Sequence, residues 1–215
     1  LDEIFKLHKN QKNKYVDDDV SLINNTSKIK FVNGERKNFK ITNQEDFKLL
    51  ENLYRSKIKI GIGFDVHRLV VGKRLYLGGV KIPSTVGTLG HSDGDPVLHA
   101  VIDATLGACG MGDIGEKFSD KNKKYKNIRS TKLVEKMISE IKEKNYAINN
   151  IDINIITETP KLKKYKKRII YNIAKLCETS SKNINIKAKT TEKLGVIGKE
   201  KAIAAEVIIS VIKYD

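Results

Sequence analysis

The chain has 215 residues, enough for one domain with an appendage, and its 40% apolar content can fill a core although it has no Trp. No apolar run approaches the roughly 18 residues that a membrane-spanning helix needs, so no membrane partner is expected. Of the formal charge of +15, +13 lies in residues 121–215 (23 basic, 10 acidic) and +2 in residues 1–56, while residues 57–120 balance at 7 each, and no zinc finger, helix-turn-helix or aromatic-interleaved basic strand turns that excess into a nucleic-acid site.

In chain order, residues 1–56 stand apart: they are rich in Lys, Asn and Asp, carry 11 basic and 9 acidic residues, and show helical periodicity only near Glu45–Tyr54. They read as an extension of uncertain order, a possible remnant of a targeting leader on a processed or truncated chain, although an ordinary transit peptide is acid-poor. From residue 57 a catalytic domain follows to residue 215. Lys57–His67 and Arg74–Ile82 read as strands. Pro96–Cys109 reads as a helix capped by Asp95 with Pro at its first position. Thr131–Lys144 is an amphipathic helix with Ser130 as its cap, Ile151–Thr157 alternates as a strand, and Leu162–Cys177 is a basic helix. Asn183–Ala188 and Ala204–Ile212 read as strands, the latter equally compatible with a buried helix. Cys109 and Cys177 are distant in sequence and read as buried free thiols, consistent with a reducing compartment.

The chain has four histidines, and three fall in one stretch with several carboxylates. Asp65 and His67 are two apart on a strand, so both leave the same face. With His99 on a helix they make a carboxylate and two imidazoles, a set that suits zinc with a fourth position open. Read singly, Asp65 and His67 would merely end a strand. The loop Gly90–Asp95 brings His91, Ser92, Asp93 and Asp95 up to the His99 helix. Asp103, one turn after His99, either orients that imidazole or faces solvent. Gly110–Gly115 is a glycine-rich turn carrying Asp113, and Thr157–Lys161 and Thr190–Gly195 put hydroxyls, carboxylates and ammonium groups at two strand ends. A zinc-dependent hydrolase is the rival reading of such a site.

Taken in order, Gly63-Phe64-Asp65-Val66-His67, His91-Ser92-Asp93-Gly94-Asp95 with Leu98-His99, Gly112-Asp113-Ile114-Gly115, Thr159-Pro160-Lys161 and Thr190-Thr191-Glu192-Lys193-Leu194-Gly195 resemble the 2-C-methyl-D-erythritol 2,4-cyclodiphosphate synthase family of the non-mevalonate isoprenoid pathway. The resemblance covers about residues 57–213. It implies a phosphorus-oxygen lyase that closes a cyclic diphosphate from a cytidine diphosphate substrate and releases CMP. It also implies an α+β fold, a mixed sheet covered by helices on one face, and a homotrimer with active sites at the subunit interfaces.

Residue by residue, the resemblance implies one Zn²⁺ per subunit on Asp65, His67 and His99, and a Mg²⁺ or Mn²⁺ at Glu192. His91 and Thr190 match positions that stabilise the transition state. Ser92 matches a substrate contact beside His91, Asp113, Ile114 and Gly115 match the segment holding the methylerythritol part, and Phe118 and Asp120 match a neighbouring phosphate-side loop. Thr157, Thr159, Pro160, Lys161 and Leu162 match the cytidine pocket, and Lys189 and Thr191 the diphosphate segment. Lys189 stands where a hydroxyl residue is common. Val196 and Lys199 stand where an aromatic residue and an arginine commonly face the central cavity of the trimer. The Lys/Asn bias, the extension and the pathway imply a plastid-type organelle, with a bacterial cytoplasm as the alternative.

Overall fold

The computed structural model describes residues 2–10, 22, 30, 32–34, 40–54, 58–119, 122, 125 and 128–214. The chain divides into two units, Leu1–Arg55 and Ser56–Asp215. In the first, helices α1 (Asp2–Asn10) and α2 (Gln44–Tyr54) form. The start of α2 is fixed by a reciprocal cap. Asn43 Oδ1 accepts from the Asp46 N–H at 2.9 Å, and Asp46 Oδ2 accepts from the Asn43 N–H at 3.1 Å. The helix expected near Glu45–Tyr54 is present; α1 was not anticipated.

The second unit has α+β architecture. Its strands are β1 (Ile58–Val71), β2 (Leu75–Leu77), β3 (Val80–Ile82), β4 (Val86–Thr88), β5 (Tyr146–Ile156), β6 (Ile184–Lys189) and β7 (Ala202–Lys213). Its helices are α3 (Pro96–Cys109), α4 (Ile114–Lys117), α5 (Ser130–Glu143), α6 (Lys166–Leu176) and α7 (Gly195–Gly198). The five-stranded sheet has the order β4-β1-β7-β5-β6, antiparallel except for β5 and β6.

Two expectations change, and the strand reading of a third run holds over its helix alternative. Arg74–Ile82 is not one strand but the hairpin β2–β3, turned by Gly78 (φ 59°) and Gly79 (φ 76°), a left-handed conformation that glycine adopts without a Cβ clash. The run Ala204–Ile212 is strand, paired along its length with β1 on one side and β5 on the other. The basic helix begins at Lys166 rather than Leu162, because Leu162–Tyr165 closes as a turn, with the Tyr165 N–H donating to the Leu162 carbonyl at 2.9 Å.

One face of the sheet is covered: α3 packs on β1 and β7, α5 on β5, and α6 on β6. Val97, Leu98, Val101, Ile102 and Leu106 of α3 and Ile203, Val207, Ile209 and Val211 of β7 are fully buried there. Each such side chain contributes about 1.5–3 kcal/mol by leaving water. The other face is open. Its β1 row is apolar: Ile58, Ile60, Ile62, Phe64 and Val66 alternate along β1 and stay exposed, as does Ile208 opposite Ile62, with Glu206 and Ser210 of β7 on either side of it. Its β5–β6 half is polar, with Asn185 and Lys187 both bonded to Asp152.

The register carries a consequence for the site. Strands β1, β5 and β6 run in the same direction, and Val66, Ala204, Ile156 and Lys189 fall in one row. Thus the C-terminal ends of β1, β5 and β6 emerge at one edge of the sheet, with β1 and β6 three strand spacings, about 14 Å, apart.

Candidate metal centre

Two glycines set the depth of the site. Gly61 and Gly63 sit on the covered face of β1, directly beneath α3. A Cβ on Gly63 would lie 2.1 Å from the Ala100 carbonyl oxygen, and one on Gly61 would lie 2.0 Å from that of Ala104. Only bare backbone against the small residues Ala100, Ala104 and Ala108 lets the helix approach this closely. The next two residues on that face, Asp65 and His67, therefore rise beside the first turns of α3, where His99 meets them.

Asp95 fixes the start of that helix. Its buried carboxylate accepts from the N–H groups of Val97 and Leu98, both at 3.1 Å, and from those of Gly78 and Gly79 at 2.9 and 2.5 Å. The cap expected at Asp95 is present, and it also ties the β2–β3 turn to the helix.

Three ligand atoms converge. Asp65 Oδ2 lies 2.9 Å from both His67 Nε2 and His99 Nδ1, and the two nitrogens are 3.1 Å apart. Zinc bonds of about 2.0–2.1 Å in tetrahedral geometry put neighbouring ligand atoms about 3.3 Å apart, so this triangle is close to one face of such a site. The far nitrogens are occupied elsewhere. His67 Nδ1 is 3.0 Å from the Leu89 carbonyl oxygen, and His99 Nε2 is 2.9 Å from Ser92 Oγ and 3.0 Å from Ser130 Oγ. Each imidazole can thus hold its proton on the outer nitrogen and aim its lone pair at the triangle. Among the described residues, Asp65, His67 and His99 are the group of this kind that could hold a metal ion.

Burial opposes the charge on Asp65, yet the hydrogen bonds from His67 and His99 hold its carboxyl well below the usual range. Burial likewise opposes protonation of His67, and the Asp65 carboxylate outweighs it, moving that imidazole upward. The triangle forms part of the wall of a cavity of about 350 Å³, also lined by His91, Ser92, Ile114, Gly115 and Phe118. Tyr125, Ile128 and Leu133 complete it; nothing in their spacing marks these three as site residues.

Other expected residues fall elsewhere. Asp113 caps α4, its Oδ1 accepting from the Glu116 N–H at 2.8 Å, and the residue is exposed. Asp120 lies outside the described residues. Asp103 neither orients His99 nor faces solvent alone: its carboxylate accepts from the Ile114 N–H at 2.8 Å and so holds α4 against α3. Ser130 is the first residue of α5 rather than its cap, and Asp93 Oδ1 receives both its N–H (3.1 Å) and its hydroxyl (2.5 Å).

The second set of residues gathers at the ends of β5 and β6. Thr157 is buried and donates to the Thr159 carbonyl at 2.6 Å; Leu162 is buried, whereas Pro160 and Lys161 line a separate surface hollow. Lys189 ends β6. Thr190 Oγ1 donates to Glu192 Oε1 at 2.7 Å, and Glu158 Oε1 accepts from the Thr191 N–H at 2.9 Å, pinning the two strand-end loops together. Val196 and Lys199 are exposed, Val196 beside Val66 and Arg68 in another hollow. Within one chain, none of these residues lines the cavity of the metal triangle.

Comparison with known proteins accounts for this combination. Residues 58–212 match the YgbB family. The bifunctional enzyme IspD/IspF of Pelagibacter ubique (strain HTCC1062) is 62% identical over 213 residues, 99% of this chain and 56% of that protein. The 2-C-methyl-D-erythritol 2,4-cyclodiphosphate synthase of Fusobacterium nucleatum is 49% identical over 152 residues, 71% of this chain and 95% of that one; its name denotes an enzyme of the lyase class. The chain spans about half the length of the bifunctional relatives it matches, 56% in Pelagibacter and 48% in Desulfotalea psychrophila. Among solved structures, the IspF–CDP complex of Plasmodium falciparum superposes with a TM-score of 0.66 at 41% identity, over 75% of this chain and 99% of that one. The bifunctional IspDF of Campylobacter jejuni gives 0.72 at 38% identity, over 98% and 58%. The bifunctional relatives are bacterial, so the plastid-type expectation gives way to its bacterial alternative. The motifs, the mixed sheet and these relatives agree, and the chain belongs to the YgbB family.

Proposed function

We propose that residues 57–215 convert 4-diphosphocytidyl-2-C-methyl-D-erythritol 2-phosphate to 2-C-methyl-D-erythritol 2,4-cyclodiphosphate and CMP in isoprenoid precursor biosynthesis. The observation that carries this reading is the Asp65–His67–His99 triangle in the wall of a cavity, in a chain of this family. The substrate brings its own nucleophile. An oxygen of the 2-phosphate attacks the β-phosphorus, the bond from that phosphorus to the bridging oxygen breaks, and CMP leaves with the electron pair. No water is consumed and no nucleophilic side chain is required, so the residues serve to align and to neutralise.

Asp65, His67 and His99 would hold Zn²⁺, and Glu192 a Mg²⁺ or Mn²⁺, which supply Lewis-acid polarisation and charge neutralisation at the phosphates. His91 lines the cavity and would donate to a phosphate oxygen as negative charge develops. Ser92 and the Ile114–Gly115 backbone would hold the methylerythritol part, while Phe118 and Leu133 keep bulk water from the reacting phosphates. Thr190, Thr191 and Lys189 would donate to the diphosphate, and the Thr157–Leu162 segment would receive the cytosine and ribose. The CDP bound by the Plasmodium falciparum relative supports that ligand class.

Both sets of residues serve one site if the assembly is a homotrimer. The open face of β1, with Ile60 71%, Ile62 64% and Phe64 58% exposed, supports such an assembly, because a contiguous apolar face of this kind calls for a partner. Packing three sheets by that face would bring the triangle of one subunit to the Thr157–Glu192 edge of the next. Residues 1–56 are covered by the matches to bifunctional relatives, and we read them as sequence leading into this domain from the rest of such a chain, in a bacterial cytoplasm. Phosphorus NMR of the zinc-loaded protein with the substrate and Mg²⁺ tests the reaction. Cyclic diphosphate appearing with equimolar CMP is expected; CMP with only linear phosphate would make the protein a hydrolase on the same ligands.

A further inference from the structure

The two histidines of the triangle are held in different ways. His67 leans on a backbone carbonyl, that of Leu89, which no substitution of a single side chain removes. His99 leans on side chains alone. Its Nε2 lies 3.0 Å from Ser130 Oγ and 2.9 Å from Ser92 Oγ. Ser92 Oγ accepts from the Gly94 N–H at 3.1 Å and lies 3.2 Å from Ser130 Oγ, which can take the Ser92 hydroxyl proton, whereas Ser130 Oγ donates to Asp93 Oδ1 at 2.5 Å. Asp93 Oδ2 is in turn paired with Arg129 Nε at 2.8 Å. Arg129 is itself fixed: its guanidinium lies 3.9 Å over the Tyr76 ring and donates to the Gly79 carbonyl at 3.1 Å.

We propose that Ser130, Asp93 and Arg129 form a positioning relay that sets the tautomer and the direction of His99 for metal binding. The proposal rests on the reading of Asp65, His67 and His99 as metal ligands. A hydroxyl that gives its own proton to a buried carboxylate keeps its lone pairs for a donor. It therefore accepts from Nε2–H, and the lone pair of His99 is left on Nδ1, the nitrogen facing Asp65 and His67. The relay differs from a direct carboxylate–histidine pair by one inserted hydroxyl. Ser130 is fully buried and the Asp93 side chain is 7% exposed, so water cannot take over either role at no cost. Arg129 offsets the charge that Asp93 would otherwise bring beside the triangle, and the Tyr76 ring and Gly79 hold the arginine on the β2–β3 hairpin. The relay thereby joins the hairpin, the Gly90–Asp95 loop, the start of α5 and α3 at one imidazole.

The test is zinc affinity of the full chain, measured by chelator competition in wild type, Ser130→Ala and Asp93→Ala, with thermal unfolding of the metal-free forms alongside. Ser130→Ala removes only the hydroxyl and leaves the backbone bond to Asp93, so it should fold normally. Zinc should bind about 10-fold more weakly in Ser130→Ala and at least as weakly in Asp93→Ala, within the 10–100-fold range of outer hydrogen-bond partners of metal ligands. Nitrogen-15 NMR of the histidine rings in zinc-loaded protein should show a protected Nε2–H on His99 that Ser130→Ala makes exchange rapidly. Asp93→Asn, which retains an acceptor for the Ser130 hydroxyl, should recover part of the affinity. Affinity within 2-fold of wild type in both alanine variants, with an unchanged His99 signal, would overturn the relay. Failure of wild type itself to bind zinc tightly would overturn the metal reading on which it rests.

Discussion

Asp95 shows how much one buried side chain organises. Its carboxylate satisfies two N–H groups at the start of α3 and two in the Gly78–Gly79 turn, so the helix bearing His99 and the hairpin bearing Tyr76 share one anchor. Asp95→Ala leaves several buried donors unpaired and should destabilise the fold by at least about 2 kcal/mol, read as a fall in the denaturant midpoint; a midpoint equal to wild type would deny it the role. A second expectation concerns Cys177. Burial pushes its thiol up to about 12. In the unfolded chain a thiol loses its proton near pH ~8.5, so the unfolded state binds fewer protons above that pH and Cys177 makes folding stability decline from there toward the folded value. Native protein at pH 8 should accordingly label slowly at Cys177 with a thiol reagent, and fast labelling would contradict its burial. At this scale the shared face of Asp65 and His67 is legible, since two residues two apart on a strand need no tertiary information to share one; that His99 joins them is legible only from the surrounding motifs. Asp103 and Ser130 were not legible, because their partners, the Ile114 N–H and the Asp93 carboxylate, are set by how α3 meets α4 and α5.

Elements determine whether the three ligands meet. The α3–β1 contact is backbone against backbone, through Gly61 and Gly63 under Ala100, Ala104 and Ala108. Gly63→Ala would drive its Cβ into the Ala100 carbonyl, and α3 must then lift or tilt. We expect a loss of about 1–3 kcal/mol in stability together with weaker zinc binding, because His99 moves with the helix; equilibrium unfolding and chelator competition check the two separately. A Gly63→Ala variant with both quantities unchanged would show that the close approach is dispensable. Helix α3 was readable from Pro96 and its apolar spacing, and β5 from its alternation. The β2–β3 hairpin was missed although Gly78-Gly79 signals it, since the apolar residues around the pair read as one continuous strand. The strand β7 reads ambiguously because Ala202–Ala205, Val207–Ile209 and Val211–Ile212 are apolar with only Glu206 and Ser210 between them, and so short an apolar stretch fits a buried helix as well as a strand.

For the whole molecule, the Asp65–His67–His99 triangle and the Thr157–Glu192 loops lie toward one end of the sheet, whose β1 row Ile60, Ile62 and Phe64 is exposed. Phe64→Asp puts a charge in the middle of that face, opposite Glu206 on β7. On the proposed homotrimer, sedimentation should find wild type as a trimer and this variant as a monomer; a variant trimer as stable as wild type would place the contact elsewhere. No property of the sequence alone identified the occupant of this face. The alternation of β1 puts Ile58, Ile60, Ile62, Phe64 and Val66 on one face and Gly61, Gly63, Asp65 and His67 on the other, and only the position of α3 decides which face is covered. The most direct test of the account mixes subunits. His99→Ala disables the metal side and Thr190→Ala/Glu192→Ala the phosphate side, so each homotrimer should be inactive. In mixed trimers purified by two tags, a closed ring of two kinds of subunit always contains one interface with both intact sides, and activity should return to about a third of wild type. Mixed trimers as inactive as their parents would mean that each chain holds a complete site, and the account would be wrong.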